Sequence, residues 1–170
     1  MTATAAAELK RRFPDSAEYK ISLYALFMEL AMRLCRPGGR QSLIVPDSVL
    51  SGRYFSRIRR RILSAQSMEE LTLVEAPVFP ATVGRSLIYR WCNRPPAAGT
   101  AAAIRCFADP AALREPIPAL WLEQAAWLKL SRQRCRLFFS GREAALAAKI
   151  EAGSRPLGEM VRWASGLIGK

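Results

Sequence analysis

The chemistry open to this chain is narrowed first by what it lacks. Its 170 residues contain no histidine, which removes Ser-His-Asp and Cys-His catalysis, histidine general bases and nearly all zinc sites. Four cysteines stand at 35, 92, 106 and 135 without a C-x-x-C spacing. Spread through apolar segments, they read as reduced core thiols of a cytosolic protein, with no metal site. What remains is aromatic and cationic. Phe79 sits between Val78 and Pro80 in a segment punctuated by Pro77 and Gly84, where an aromatic could stack on a flat ligand or simply anchor a loop. Arg53, Arg57, Arg60 and Arg61 crowd one stretch and suit either phosphate contacts or a solvated helix face. Asn93-Arg94-Pro95-Pro96 opens a stretch that carries Pro-Pro and then Ala-Gly and reads as an interdomain linker.

The elements that must position these residues follow from periodicity. After a weak opening helix, apolar residues at 23, 26, 27, 30, 31 and 34 mark a helix, with Ser22 as N-cap and Pro37-Gly38-Gly39 as its stop. The run Ser42–Pro46 predicts a strand buried on both faces, as in a parallel sheet flanked by helices. A second helix is expected from Arg53 to about Gln66, capped by Ser51, with Phe55, Ile58 and Ile62 on its apolar stripe. Strands at Leu71–Glu75 and Ser86–Trp91 complete an α/β order ending in a hairpin. Beyond a linker at Asn93–Thr100, a strand at Ala103–Phe107 and helical segments around Ala119–Phe139 and Arg142–Glu151 are predicted.

Bulk properties bound the class. At 51% hydrophobic and 24% charged the chain is globular. The excess of 26 Lys+Arg over 14 Asp+Glu, a net +12, points to a polyanionic partner or to a solvated basic surface. The opening lacks a charged region followed by an apolar one, so no secretory signal is read. The longest apolar stretch, Ile21–Met32, is broken by Glu29 and too short to span a bilayer. A cytoplasmic protein with no membrane partner is expected.

Read in order, SLYALFMELAMRLCRPGGRQSLIVP (22–46), Ile58-Arg59 with the overlapping RRRIL (59–63), Val78-Phe79-Pro80, SLIYRW (86–91) and Pro156-Leu157-Gly158-Glu159 resemble the TaqI-type, gamma-class adenine-N6 DNA methyltransferases, including fused restriction–methylation enzymes. Ser22 stands where that family usually has Asp or Asn, and serine caps a helix about as well. The resemblance is close over roughly residues 8–95 and looser over 153–170. It implies a partial Rossmann-like methyltransferase fold, the second half of the sheet with a terminal β-hairpin, followed by a mainly helical C-terminal segment. The domains it implies are 1–95 for the C-terminal half of the S-adenosylmethionine-dependent domain, 96–152 for a connector, and 153–170 for the start of a DNA-recognition domain. The family's cofactor loop and Asn-Pro-Pro-Tyr motif both precede the matched part and do not occur in this sequence.

By the same resemblance Phe79 stacks the adenine flipped from double-stranded DNA. Phe27 packs near the adenine ring of S-adenosylmethionine, against the alternative of an ordinary core position. Pro46, with Tyr24 and Asp47, lies at the sheet edge where open α/β folds hold ligands, although Asp47 as a cap of the turn is the plainer reading. Arg53, Arg57, Arg60 and Arg61 contact DNA phosphates or water. The function implied is site-specific adenine methylation in a restriction-modification system, by a fragment inactive without a partner polypeptide supplying the N-terminal half. A complementing subunit of a split methyltransferase and a stand-alone basic nucleic-acid module are the rival readings.

Overall fold

The computed structural model describes residues 2–80 and 84–162. Two compact units divide between Phe139 and Ser140. The first opens with α1 (Ala3–Arg12), which buries none of its residues, and continues with α2 (Leu23–Leu34). After them come β1 (Arg40–Pro46), α3 (Ser56–Ala65), β2 (Ser67–Val74), β3 (Ser86–Cys92), β4 (Ala101–Phe107), β5 (Leu120–Glu123) and α4 (Gln124–Lys129). The second unit holds α5 (Gly141–Ala152) and α6 (Leu157–Met160).

The five strands form one sheet in the order β1-β3-β2-β4-β5. β3 is antiparallel to both β1 and β2, β4 is parallel to β2, and β5 is antiparallel to β4. The expected second half of a Rossmann-like sheet with its β2–β3 hairpin is therefore present. Its core lies on one face. Val45, Leu71, Leu87, Tyr89, Trp91, Ala102 and Ile104 meet Ala25, Met28 and Met32 of α2, Ile58, Ile62 and Leu63 of α3, and Trp127 of α4. Alternation sends the intervening residues to the other face, where the charges gather.

A bulge makes this partition work. Met68 pairs with Trp91 and Glu70 with Arg90, leaving Glu69 as an extra residue. Met68 and Leu71 differ by three positions, so a regular strand would point them to opposite faces. The inserted residue lets both enter the core and turns two consecutive glutamates outward. There they build a ladder: Arg40 to Glu69 at 2.9 Å, Arg90 to Glu69 at 3.1 Å and to Glu70 at 3.3 Å, and Arg105 to Glu70 at 2.6 Å.

Several sequence expectations are corrected. β1 is an edge strand paired only with β3 among the described residues, and Ile44 is 37% exposed, so it is not buried on both faces. The span 119–139 is not one helix: Leu120 and Leu122 alternate with Trp121 and Glu123 in β5, and α4 ends at Lys129. Pairing with the alanine-rich β4 overrides local helix preference there. α3 begins at Ser56 after a 3-10 turn. Its first turn is met by the Glu18 carboxylate, which accepts from Ser56 Oγ at 2.8 Å and from the Arg57 N–H at 3.1 Å, not by Ser51. Asn93 works within the sheet unit. Its side chain donates to the carbonyls of Cys35 and Arg36 and accepts from Gln66, and its backbone bonds Gly38 and Gly39. The stop after α2 is thus clamped to the end of β3, with Gly38 at φ 72° where a side chain would be strained. Residues 163–170, the tail of the expected recognition segment, lie outside the described residues.

Arg59 holds the helical layer to the turns around it. It is buried, with no carboxylate partner among the described residues, and donates to four backbone carbonyls: Val49 at 2.9 Å, Gly52 at 2.7 Å, Arg132 at 2.8 Å and Gln133 at 3.0 Å. Burial lowers its pKa below the ordinary arginine value. Hydrogen bonds to a charged donor contribute about 1.5–3 kcal/mol each where they count most. Arg59→Met should therefore lower stability by roughly 3 kcal/mol, because the buried Val49 carbonyl and three part-buried ones lose their donor. Arg59→Lys should fall between, since one ammonium cannot span the four positions. Urea unfolding followed by tryptophan fluorescence gives both values, and equal midpoints for all three proteins would show the network to be dispensable.

Candidate functional site

β1 and β2 run parallel, so their carboxyl ends, Pro46 and Val74, lie at the same edge of the sheet. Three elements meet there. Tyr24 in the first turn of α2 bonds Ser48 in the turn after β1, 3.0 Å between hydroxyls. The Asp47 N–H donates to the Arg85 carbonyl at 3.2 Å, and Arg85 returns a salt bridge to the Asp47 carboxylate at 2.8 Å. Asp47 thus pins the start of β3 and does not cap its own turn. The loop that leaves β2 is anchored by Glu75 and Ala76, whose N–H groups donate to Phe107 and Ala108.

Phe79 lies on that loop, 47% exposed; residues 81–83 beyond it are outside the description. Phe27 follows Tyr24 by one turn and is 60% exposed. The core reading of Phe27 is therefore wrong: α2 turns Ala25, Met28, Glu29 and Met32 inward, and residue 27 falls outside that arc. Pro46 is exposed at the same edge. Phe27 and Pro46 each leave an apolar surface open to solvent.

Arg53, Arg57, Arg60 and Arg61 are all exposed. Arg53 lies 4.6 Å from the ring centroid of Tyr54, which stacks on Tyr19 at 4.7 Å. The other arginine of the run, Arg59, is the buried one, and sequence reasoning passed over it. The signal was there: Arg59 is four residues after Phe55 and three before Ile62, squarely on the helix stripe. Glu29 likewise occupies the inward arc of α2, where it accepts from the Ser16 N–H and hydroxyl at 2.8 and 2.6 Å and pairs with Arg33.

All four cysteines are free thiols. Burial pushes the Cys135 thiol up to about 12, with the nearby Arg59 pulling the other way, which makes it a poor nucleophile. Burial also raises the Tyr89 phenol well above its ordinary value. Among the described residues no His, Cys, Asp or Glu cluster could hold a metal, and no helix is long and apolar enough to cross a membrane.

Residues 1–79 match the family of Eco57I restriction-modification methylases. The resemblance read from the motifs is borne out over that stretch, which ends on Phe79. Comparison with curated proteins gives no match. Among solved structures, the type IIG restriction endonuclease BpuSI is similar with 14% identity and a TM-score of 0.54, over 89% of this chain and 20% of that one. A chain from a study of complex assembly and conformational transition in the type I restriction-modification system gives 15% identity and a TM-score of 0.52, over 85% of this chain and 40% of that one. A modification subunit of a putative type I restriction enzyme from Vibrio vulnificus YJ016 gives 18% identity and a TM-score of 0.48, over 68% and 30%. The chain thus spans well under half the length of each structure it resembles.

The edge beside this methylase-matched region is uncovered among the described residues. β1 has one open side, and α2 exposes Leu23 at 68%, Phe27 at 60% and Leu34 at 76% on its outward arc. An open apolar edge is a template for association. The isolated chain should self-associate at micromolar concentrations, and Leu34→Lys should shift it toward monomer without lowering the unfolding midpoint. Sedimentation velocity reads the first effect and urea unfolding the second; a monomeric parent protein would mean this surface needs no cover.

Proposed function

We propose that the chain is the second half of the catalytic domain of an adenine-N6 DNA methyltransferase of a restriction-modification system. The first half, on the same polypeptide or on another, would dock against β1 and α2. The observation that carries this reading is a coincidence of place. The stretch matching restriction-modification methylases, residues 1–79, contains both the open strand edge and the exposed helix face. A complementing subunit of a split enzyme would present the same surface. A stand-alone nucleic-acid module would have no use for it.

In this reading S-adenosylmethionine supplies an electrophilic methyl group when bound. Phe27 and Pro46 form one wall for its adenine ring, and the first half supplies the rest. Phe79 stacks the target base after it leaves the duplex. The exposed arginines of α3 and the turn before it contact phosphates of double-stranded DNA, and the segment from residue 153 onward opens a DNA-recognition domain. A protein working on DNA in this way would be cytoplasmic.

Two outcomes follow. The 170-residue chain by itself should neither bind S-adenosylmethionine in isothermal titration nor transfer a tritiated methyl group to genomic DNA. Specific adenine methylation by this polypeptide alone would sink the half-domain reading. With the first half restored, Phe79→Ala should slow methylation by roughly one to two powers of ten, since stacking on an aromatic contributes about 1–3 kcal/mol per base. Cofactor affinity should barely change. Phe79→Trp should keep most activity, while Phe79→Leu should resemble alanine despite its hydrophobicity. A 2-aminopurine at the target position reports the flipped population; unchanged flipping in the alanine and leucine variants would reduce Phe79 to a loop anchor.

A further inference from the structure

The outward face of the sheet, on the side away from α2, α3 and α4, carries a groove of about 530 Å3. Small residues make it. The run from Ala97 to Ala103 holds only alanine, glycine and threonine, and Ala97, Thr100 and Ala101 line the groove with Pro95. Trp121 stands over this floor. It pairs across the sheet with Ala103, so its indole has no large neighbour directly opposite on its own face, and it remains 64% exposed. An indole left this open in a strand whose alternate leucines are half-buried needs a reason.

The charges beside it supply one. Three charged residues line the groove: Glu69, Arg90 and Arg94. Glu69 is engaged by Arg40 and Arg90 together. Arg94 is exposed and enters no ion pair among the described residues. The groove therefore joins an open aromatic face to a guanidinium with no carboxylate of its own, on a chain of net charge +12. A ligand that is flat and apolar in one part and anionic in the next complements both.

We propose that this groove binds single-stranded nucleic acid, one base stacking on Trp121 and the adjoining phosphate meeting Arg94. The volume of about 530 Å3 admits a nucleotide with its base unstacked from its neighbours. A duplex offers no free base face to the indole, so the groove selects unpaired strand. The site is separate from the edge that holds Pro46 and from Phe79, and it does not depend on the methyltransferase reading. A groove that failed to bind would leave that reading standing, and loss of methylation would leave the groove standing.

The test uses the full chain and a fluorescein-labelled oligothymidylate, with a blunt duplex of equal length for comparison. Anisotropy at low salt should show tighter binding of the single strand. Trp121→Ala should weaken it about tenfold and Trp121→Phe much less, as expected for stacking. Arg94→Gln should reduce the slope of log affinity against log salt by about 0.7, the value for one single-strand phosphate contact. A 5-iodouridine strand should cross-link to Trp121. No binding of the single strand, equal affinity for duplex, or cross-links confined to α3 with Trp121→Ala binding like the parent would each overturn the proposal. Circular dichroism confirms that the surface variants remain folded.

Discussion

The structure depends on a cation placed where an apolar side chain would be expected. The Arg59 guanidinium sits on the inward stripe of α3 and is met entirely by backbone carbonyls. Each carbonyl brings a dipole without a charge, so four hydrogen bonds hold the guanidinium and leave the cation un-neutralised. Such an arrangement depends on those acceptors, because a buried unpaired donor costs about 1–3 kcal/mol. The acceptors come from two segments far apart in sequence, the turn after β1 and the turn after α4. Arg132 and Gln133 present their carbonyls from left-handed backbone at φ 55° and 50°, a conformation that ordinary residues enter at a cost. The Cys135 N–H then bonds the Leu50 carbonyl at 2.8 Å. One side chain thereby fixes where the chain after α4 crosses the helical layer, and holds the turn that follows the carboxyl end of β1.

Gln124 performs the complementary task at the other end of α3. It is buried, and its amide accepts from the Met68 N–H at 2.8 Å while donating to Leu63 and Gln66 carbonyls at 2.8 and 2.7 Å. These are the last carbonyls of α3 and the first amides of β2, groups left over where a helix gives way to a strand. The Gln66 carbonyl and Met68 N–H also border the bulge that sends Glu69 and Glu70 outward. β4, β5 and α4 are therefore parts of the sheet unit. The compact unit runs through Phe139, past residue 95, where the motif resemblance had set its first boundary.

What could be read from the sequence was local. The α2 boundaries, the Pro37-Gly38-Gly39 stop, the β2–β3 hairpin and the strand near Ala103 all followed from periodicity and turn residues, which act over a few positions. The motifs up to Phe79 lie within the stretch that matches the methylase family. What escaped was long-range. β1 is apolar enough for a buried strand, and only the sheet order reveals its open side. Phe27 lies on a helix apolar almost all round, where pattern alone cannot say which arc meets the core. β5 was hidden because four residues carry too little alternation to outweigh the helical pattern that follows. The roles of Asn93 and Gln124, and the two bonds of Arg59 to the turn after α4, arise from partners 27 to 74 positions away, beyond any short window of sequence. Of the candidate site, the sheet edge was legible through Pro46, whereas the Asp47–Arg85 tie across 38 positions was not.

The two edges of the sheet show which side invites completion. β5 is four residues long and carries Glu123, features that blunt an edge. β1 is seven residues long, and Arg40 at its start is its one charged residue. The two faces differ in the same sense. The outward face satisfies itself through the arginine–glutamate ladder, whose exposed ion pairs stay hydrated at little cost. The outward arc of α2 has no such device, and Leu23, Phe27 and Leu34 stand there in water. Burying apolar side chains contributes about 25 cal/mol per Å2, while covering the ladder would first require stripping water from charges. Free energy therefore favours growth of the fold at β1 and α2, beside the edge where Pro46 emerges. A polypeptide added there would extend the sheet, cover the helix and reach the edge where Pro46 emerges in a single docking event.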